Sequence, residues 1–425
     1  MLPTLPALPR RAGGPCRFYP RGRLPSGSGL DAGVLVHGAS PPVPVAILTA
    51  APMPRSHSRW FTALLVCCAP LAAAQEPLVE PPPMYIAEPF DTGFAGMPLP
   101  VSIGQEPTWP RWFAGAGGLV MTRTLPAGVP TMRPVGGVQL TTADASATWP
   151  GGFDAHVGRW LGARQQHAVE LVYWGVYGIG SSASFIDPAD TIDVIPQAPG
   201  AMIGGTPAAE FLADARGQQI ARSDLVNNVE VNWVYALGDR PEFLPRQGPF
   251  SLMWLAGFRF FQVNDVLTLT SLPGDAALGP ADLSVATNNN LYGGQVGAKL
   301  DWRFLPSVRL NVVPKFLLAG NAITDTTTLT DASGTTATFA SGAPLRVHSQ
   351  LGVFSWLGSV DTGLAWDVTD HWSLSLGYRV VGVGNIAQAD GQWPIVLASP
   401  ASLDGIAAGS STIVHGGFAG FEARY

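Results

Sequence analysis

The sequence predicts an all-β fold, a transmembrane antiparallel up-and-down β-barrel of about ten strands (ten to twelve) with long extracellular loops. Charged residues make up only 13 % of the 425-residue chain, whereas soluble proteins average about 25 %. No run of eighteen or more apolar residues follows residue 75, so membrane-spanning helices are not predicted. A closed barrel is the other architecture that satisfies its backbone in lipid. A large secreted β-sandwich stays open as the alternative on composition alone.

Ten apolar-periodic stretches are long enough to be membrane strands. A tilted transmembrane strand needs about nine to eleven residues, and each stretch reaches about that length or exceeds it. The predicted strands are 111–122, 152–161, 167–178, 222–237, 248–263, 289–303, 307–319, 357–368, 372–383 and 411–425.

The connections between these strands alternate in length. The long ones are 123–151, 179–221, 264–288, 320–356 and 384–410, and the short ones are 162–166, 238–247, 304–306 and 369–371. Outer-membrane barrels have long loops outside and short turns on the periplasmic side. The pattern therefore predicts an even strand number, with both ends of the barrel domain on the periplasmic side.

Alternation within the strands predicts which side chains face the lumen. In 307–319, apolar residues on one face alternate with Arg309, Asn311 and Lys315 on the other, as expected for lipid and lumen faces. The lumen-lining candidates are Arg259, Lys299, Asp301, Arg309, Lys315, Asp361, Asp367 and Arg379. A ten-stranded barrel is only slightly wider than an eight-stranded one, whose interior side chains fill. These residues are thus expected to form a salt-bridged plug or a narrow pore.

Aromatic residues near one set of strand ends predict a membrane-interface girdle, since aromatic rings with a polar edge prefer that interface. The girdle candidates are Trp112, Trp233, Trp254, Trp302, Trp366, Trp372 and Tyr425. The chain also ends on an alternating segment whose last residue is the aromatic Tyr425. This ending resembles the signal that outer-membrane proteins present to the barrel assembly machinery, so that machinery and outer-membrane lipid are the expected partners.

The N-terminal region divides into three segments before the barrel domain 111–425. Residues 53–74 carry a basic start, an apolar run from Trp60 to Leu71 and an Ala-Ala-Ala end, which is a complete secretory signal. Cleavage is expected near Ala74, and residues 1–52 are interpreted as a disordered upstream extension from a misplaced start. Residues 75–110 are a Pro-rich periplasmic linker.

Charge and cysteine content exclude several classes of function. The chain carries −6 and residues 1–74 carry +6, so residues 75–425 carry −12 with only two lysines, which argues against nucleic-acid binding. The three cysteines all precede residue 75, which excludes disulfides and thiolate sites beyond it. No cofactor or metal site is predicted. The acids Asp187, Asp190 and Asp193 favour solvated loop residues over a calcium site.

No catalytic residues are predicted, and the protein is not expected to be an enzyme. A surface hydrolase would need histidine and a carboxylate within hydrogen-bond reach. In the predicted loops, His348 could meet Asp325 or Asp331, but this is a pairing of residue types alone.

Several phrases resemble the BBP type of beta-barrel porin families, which have a Pro-rich N-terminus. They are Trp112-Phe-Ala-Gly-Ala-Gly-Gly-Leu119, Asn288-Asn-Asn-Leu-Tyr-Gly-Gly-Gln-Val-Gly-Ala-Lys-Leu-Asp301-Trp, Pro314-Lys-Phe and the hairpin from Gly363 to Gly377. The resemblance samples most of 111–425 and implies a barrel in the bacterial outer membrane. It carries no catalytic motif.

The expected function is a narrow porin or channel for small solutes in the outer membrane. The alternative is a structural or adhesive surface protein, in which the barrel is an anchor and the loops carry the function. Loops rich in Thr, Ala, Gly and Asp, such as 323–342, favour this alternative. A surface hydrolase is the third reading.

Overall fold

A computed structural model describes residues 110–162, 165–236 and 249–425. The predicted extension, the signal and all but the last residue of the Pro-rich linker lie outside the described residues. Within the described ranges, no helix is both long enough and apolar enough to cross a membrane.

Thirteen strands form in the described part of the chain, and ten of them are long. Their bounds are β1 Trp112–Arg123, β2 Gly151–Leu161, β3 His167–Ile179, β4 Ser182–Ile186, β5 Met202–Ile203, β6 Thr206–Pro207, β7 Ala215–Ala236, β8 Phe250–Pro273, β9 Ala281–Leu305, β10 Val308–Asp331, β11 Arg346–Asp367, β12 Trp372–Ile386 and β13 Ser410–Arg424. The remaining regular structure is single helical turns at Thr142–Asp144, Ala209–Leu212, Ala389–Gln392 and Pro400–Leu403.

The ten long strands close into an antiparallel ring. Each pairs with the next in the chain, β3 pairs with β7 across the intervening short strands, and β13 pairs with β1. The short β4 continues the edge of β3 along β7, and β5 pairs with β6 in a hairpin of the same connection. The predicted ten-stranded antiparallel barrel is confirmed.

Strands β7 to β11 extend well beyond the predicted bounds at one end of the ring. Strand β8 continues to Pro273 and β9 begins at Ala281, so the predicted long connection 264–288 is wrong and only 274–280 joins them. The connection predicted at 320–356 likewise shrinks to 332–345. Many outward side chains of these extensions are Thr, Ser or Asn, which are typical of loops. Inward residues such as Leu267, Leu283 and Leu329 are apolar and pack on other connections.

The two ends of the ring differ in their connections. The short turns 162–166, 306–307 and 368–371 lie at the end where β1 begins and β13 ends, which we call the short-turn end. The predicted short connection 238–247 lies outside the described residues. The opposite, long-connection end holds 124–150, 180–214, 332–345 and 387–409 together with 274–280.

An apolar band covers the outside of the barrel near the short-turn end. On β9 it comprises the exposed outward residues Trp302, Leu300, Val296 and Tyr292, and it gives way to Asn290 and Asn288. Ten residues of a tilted strand span roughly 25 Å, the height of the apolar band on membrane barrels. The seven girdle candidates are all exposed, at 42–64 %.

Two adjacent glycines in β9 provide a test of how closely β9 and β10 pair. A Cβ on Gly293 would lie 2.0 Å from the Leu318 carbonyl oxygen of β10, whereas a Cβ on Gly294 meets nothing within 4 Å. Gly293→Ala must therefore shift a backbone strand, and we expect it to lower the free energy of unfolding by about 1–3 kcal/mol. Urea titration in detergent should show little change for the matched control Gly294→Ala. Equal effects of the two changes would contradict the described register.

Candidate functional site

The inward side chains of the barrel form successive layers along its axis. On β8, the inward residues alternate between apolar and charged: Met253 and Leu255 precede Arg259, and then Phe261 and Val263 precede Asp265. Beyond Asp265, Leu267 and Leu269 face inward and pack on the long connections. Because neighbouring strands pair in register, inward apolar side chains of different strands lie at the same height in the lumen, and so do inward charged side chains.

A central apolar layer fills the middle of the lumen. Nine of the ten ring strands, all but β2, supply a side chain that is at most 2 % exposed. They are Met121, Trp174, Val226, Phe261, Leu291, Leu317, Leu357, Val381 and Val414. Trp174 and Phe261 meet edge to face with centroids 5.9 Å apart. These nine side chains leave almost no solvent-accessible surface of their own at this level.

A buried ion cluster lies directly above this layer, towards the long-connection end. It consists of Arg123, Arg222, Asp224, Asp265 and Asp390, whose side chains are 0–2 % exposed. Arg123 contacts Asp224 at 2.7 Å and Asp265 at 2.8 Å, and Arg222 contacts Asp265 and Asp390 at 2.9 Å each. Three carboxylates face two guanidinium groups, so the cluster has a formal charge of −1.

A lower ion network lies on the other side of the apolar layer and contains most of the lumen candidates. Lys315 donates to Glu230 at 2.9 Å, and Arg259 lies 3.7 Å from the same carboxylate. Arg379 forms a two-bond pair with Asp361, at 2.8 and 3.0 Å, and a third bond of 2.8 Å to Asp154.

The network is completed by Lys299, which donates to Glu170 at 2.8 Å. Its acids are Asp154, Glu170, Glu230 and Asp361, and its bases are Arg259, Lys299, Lys315 and Arg379. Four of each sign make this level formally neutral.

The remaining three candidates, Asp301, Arg309 and Asp367, lie close to the short-turn end. The Asp367 carboxylate forms salt bridges with three guanidinium groups, those of Arg303 at 2.9 Å, Arg309 at 3.2 Å and Arg424 at 3.4 Å. Asp301 is 7 % exposed and lines a cavity described below. The structure therefore brings Arg309 and Asp367 together, and it joins Arg259 to Lys315 through Glu230.

Sequence reasoning missed the whole buried ion cluster and three of the four acids of the lower network, Asp154, Glu170 and Glu230. The signal was present in β7, where Arg222, Asp224, Asn228, Glu230 and Asn232 all face inward at period two. The period-two argument that identified the candidates of β9 and β10 would have found them. Asp390 carries no such signal, since it lies in a connection and only the tertiary fold brings it to the strands.

Two cavities occupy the short-turn half of the lumen in the described structure. One of about 190 Å³ is lined by Asp154, His156, Asp361, Arg379 and Asn311, among others. The other, of about 140 Å³, is lined by Trp160, Glu170, Lys299, Asp301 and Glu422, among others. Both cavities touch His156, whose Nε2 lies 3.2 Å from Glu422.

The loop acids and histidines singled out in the sequence lie elsewhere. Asp187 accepts bonds from the Thr191 hydroxyl and the Ala189 amide, which lower its pKa, and Asp193 pairs with Arg133. No group of three metal-ligating side chains occurs among the described residues.

The pairing of His348 with Asp325 does not form. His348 bonds the Thr326 hydroxyl on the outer face, whereas Asp325, one residue earlier, is a buried inward residue.

Solved structures with a similar strand arrangement share little sequence. The outer membrane protease OmpT from Escherichia coli is 12 % identical, with a TM-score of 0.42, over 75 % of this chain and 98 % of that one. The translocator domain of the autotransporter NalP from Neisseria meningitidis is 12 % identical, with a TM-score of 0.30, over 76 % and 92 %. The toluene transporter TodX of Pseudomonas putida is 9 % identical, with a TM-score of 0.28, over 74 % and 90 %.

No curated protein matches the chain. A family model does, over residues 143–397, and its description is "Putative beta barrel porin-7 (BBP7)". The matched region runs from the connection after β1 to the connection after β12 and contains the ion cluster residues Arg222, Asp224, Asp265 and Asp390. The resemblance inferred from the sequence is thereby confirmed, and the chain belongs to this family of outer-membrane beta-barrel porins.

Proposed function

We propose that this porin-family barrel is closed in its resting state and serves as an outer-membrane anchor that presents its packed long connections at the cell surface. The central apolar layer carries this proposal. A lumen that conducts ions needs a hydrated path, and the buried apolar side chains that nine strands place at one level support a closed state.

The long-connection end supports the idea of a surface platform. Its connections share an apolar core with the strand extensions, which includes Phe185 and Ile203 from 180–214, Phe339 from 332–345 and Trp393 from 387–409. Mobile loops do not bury side chains of this size. The connections therefore form one folded surface on top of the barrel.

Orientation is part of the proposal. Outer-membrane barrels expose their long connections and keep short turns and termini in the periplasm. The predicted signal 53–74 supports export across the inner membrane, which is the first step towards insertion in that direction.

A narrow channel for small solutes is the second candidate, and the two lumenal cavities favour it. They lie among paired charges of both signs, which suits small polar solutes without a preference for one charge. In this reading the apolar layer and the ion cluster must rearrange before a solute passes.

Surface labelling tests the platform and its orientation. The native cysteines all precede residue 75, so single cysteines can be placed at exposed Ala332 in a long connection and at exposed Asp370 in a short turn. A membrane-impermeant maleimide on intact cells should label Ala332→Cys, and it should label Asp370→Cys only after the outer membrane is permeabilised. The reverse pattern would overturn the orientation, and labelling of neither site on intact cells would overturn the surface platform.

A further inference from the structure

The connection after β12 turns into the barrel instead of over its rim. Residues Ala387, Gln388, Ala389 and Asp390 are at most 4 % exposed. Connecting segments normally run over the surface because their backbone polar groups need partners. Here the lumen wall supplies those partners.

Three wall residues hold this inserted segment. Asn289 of β9 donates to the Ala387 carbonyl at 2.7 Å and accepts from the Ala387 amide at 2.9 Å. The Ala389 amide donates to Asp265 of β8 at 3.1 Å. Arg222 of β7 donates from Nη2 to both Asp390 carboxylate oxygens at 2.9 Å.

Arg222 also holds a second connection. Its Nε donates to the Ala145 carbonyl at 3.1 Å, and its Nη2 lies 3.4 Å from the Thr142 carbonyl. Of the five members of the ion cluster, Asp390 alone comes from a connection, and the other four belong to β1, β7 and β8. The Arg222–Asp390 pair is thus where the barrel wall meets the inserted segment.

The four wall residues of the ion cluster are formally neutral together, and Asp390 adds one negative charge. The wall residues Arg123, Arg222, Asp224 and Asp265 are two guanidinium groups and two carboxylates, which balance without Asp390. With Asp390 docked, the buried cluster carries an excess negative charge. If Asp390 leaves, Arg222 keeps Asp265 at 2.9 Å, so no wall charge loses its last partner.

We infer that Asp390 is the releasable half of a latch that holds residues 387–390 inside the lumen. Breaking the Arg222–Asp390 pair removes the ionic contact of this segment while the wall stays paired. The segment is then held by neutral-donor hydrogen bonds such as those to Asn289 and Asp265, so its local opening costs less free energy. Farther along, Leu397 donates from its amide to the Gln197 carbonyl at 2.7 Å, so the release is local to the inserted segment. Release removes the cover that residues 389 and 390 place over Arg222 and Asp265.

Cysteine accessibility in the reconstituted barrel tests the latch. Ala389→Cys places a thiol at a position with no exposure, which should react slowly with a small maleimide. Adding Asp390→Asn should make labelling about tenfold faster, a change of about 1.4 kcal/mol in local opening. The matched control is Asp404→Asn in the same connection, where the carboxylate is exposed and accepts from Ser349, and it should leave the rate unchanged.

Equal labelling in all three proteins would overturn the latch. Loss of the folded, heat-resistant band on a gel by Asp390→Asn would also overturn it, since the cluster would then be needed for the barrel itself. The inference goes beyond the proposed function, and the assay in reconstituted barrels depends neither on orientation nor on conductance. Its failure is therefore distinguishable from a failure of the surface platform.

Discussion

Replacing Arg222 with alanine is expected to lower the free energy of unfolding by about 3–5 kcal/mol, the cost of breaking a buried charge network by removing one partner. The side chain is fully buried and contacts Asp265 and Asp390 at 2.9 Å each. Without it, three carboxylates would share Arg123 alone, and the buried cluster would carry a formal charge of −2. The Ala145 carbonyl would lose its Arg222 donor as well.

The control for this change is Arg216→Ala. Arg216 lies on the same strand but is exposed on the long-connection side, so its removal should cost no more than about 0.5 kcal/mol. Both variants can be unfolded by urea in detergent and followed by tryptophan fluorescence. A loss of stability in Arg222→Ala no larger than that in Arg216→Ala would contradict the role given to the ion cluster.

Asp390→Asn should behave differently from Arg222→Ala although the two residues form one pair. Removing the aspartate charge leaves two guanidinium groups and two carboxylates, whereas removing the arginine leaves an excess of two negative charges. The global stability change should thus be the smaller one for Asp390→Asn, while local opening increases.

The membrane-spanning part of the fold was predictable because the bilayer imposes a simple rule on sequence. Phe316 and Leu318 must face lipid while Lys315 and Leu317 face the lumen, so period two is visible even where both faces contain apolar residues. Long stretches with this alternation gave ten strands and their order.

Beyond the membrane this rule no longer applies, and there the predicted strands ended too early. Thr268 and Thr270 face water, as loop residues do, while Leu267 and Leu269 pack on distant connections. A sequence contains no local mark of such packing. The position of Asp390 in the lumen depends on the same long-range contacts, whereas the inward acids of β7 were detectable and were overlooked.

The side chains that fill the lumen bear on whether the barrel is a closed anchor or a channel. Paired charges on both sides of the central apolar layer compensate one another, so removing Lys315 would leave Glu230 with Arg259 at 3.7 Å as its nearest cation. Such a network stabilises a closed interior. A channel would need at least one hydrated path past Trp174 and Phe261.

Single-channel recording of the unmodified barrel in a planar bilayer tests the closed lumen most directly. A sixteen-stranded porin in the same bilayer serves as the positive control, because barrels of that size leave an aqueous channel. Folding of the test protein is verified before reconstitution by comparing its mobility in unheated and heated samples on a gel. The closed lumen predicts no resolved conductance, or a conductance at least about tenfold below that of the control. Large, stable, open channels would contradict the central apolar layer as a seal and would make solute passage the function of the barrel.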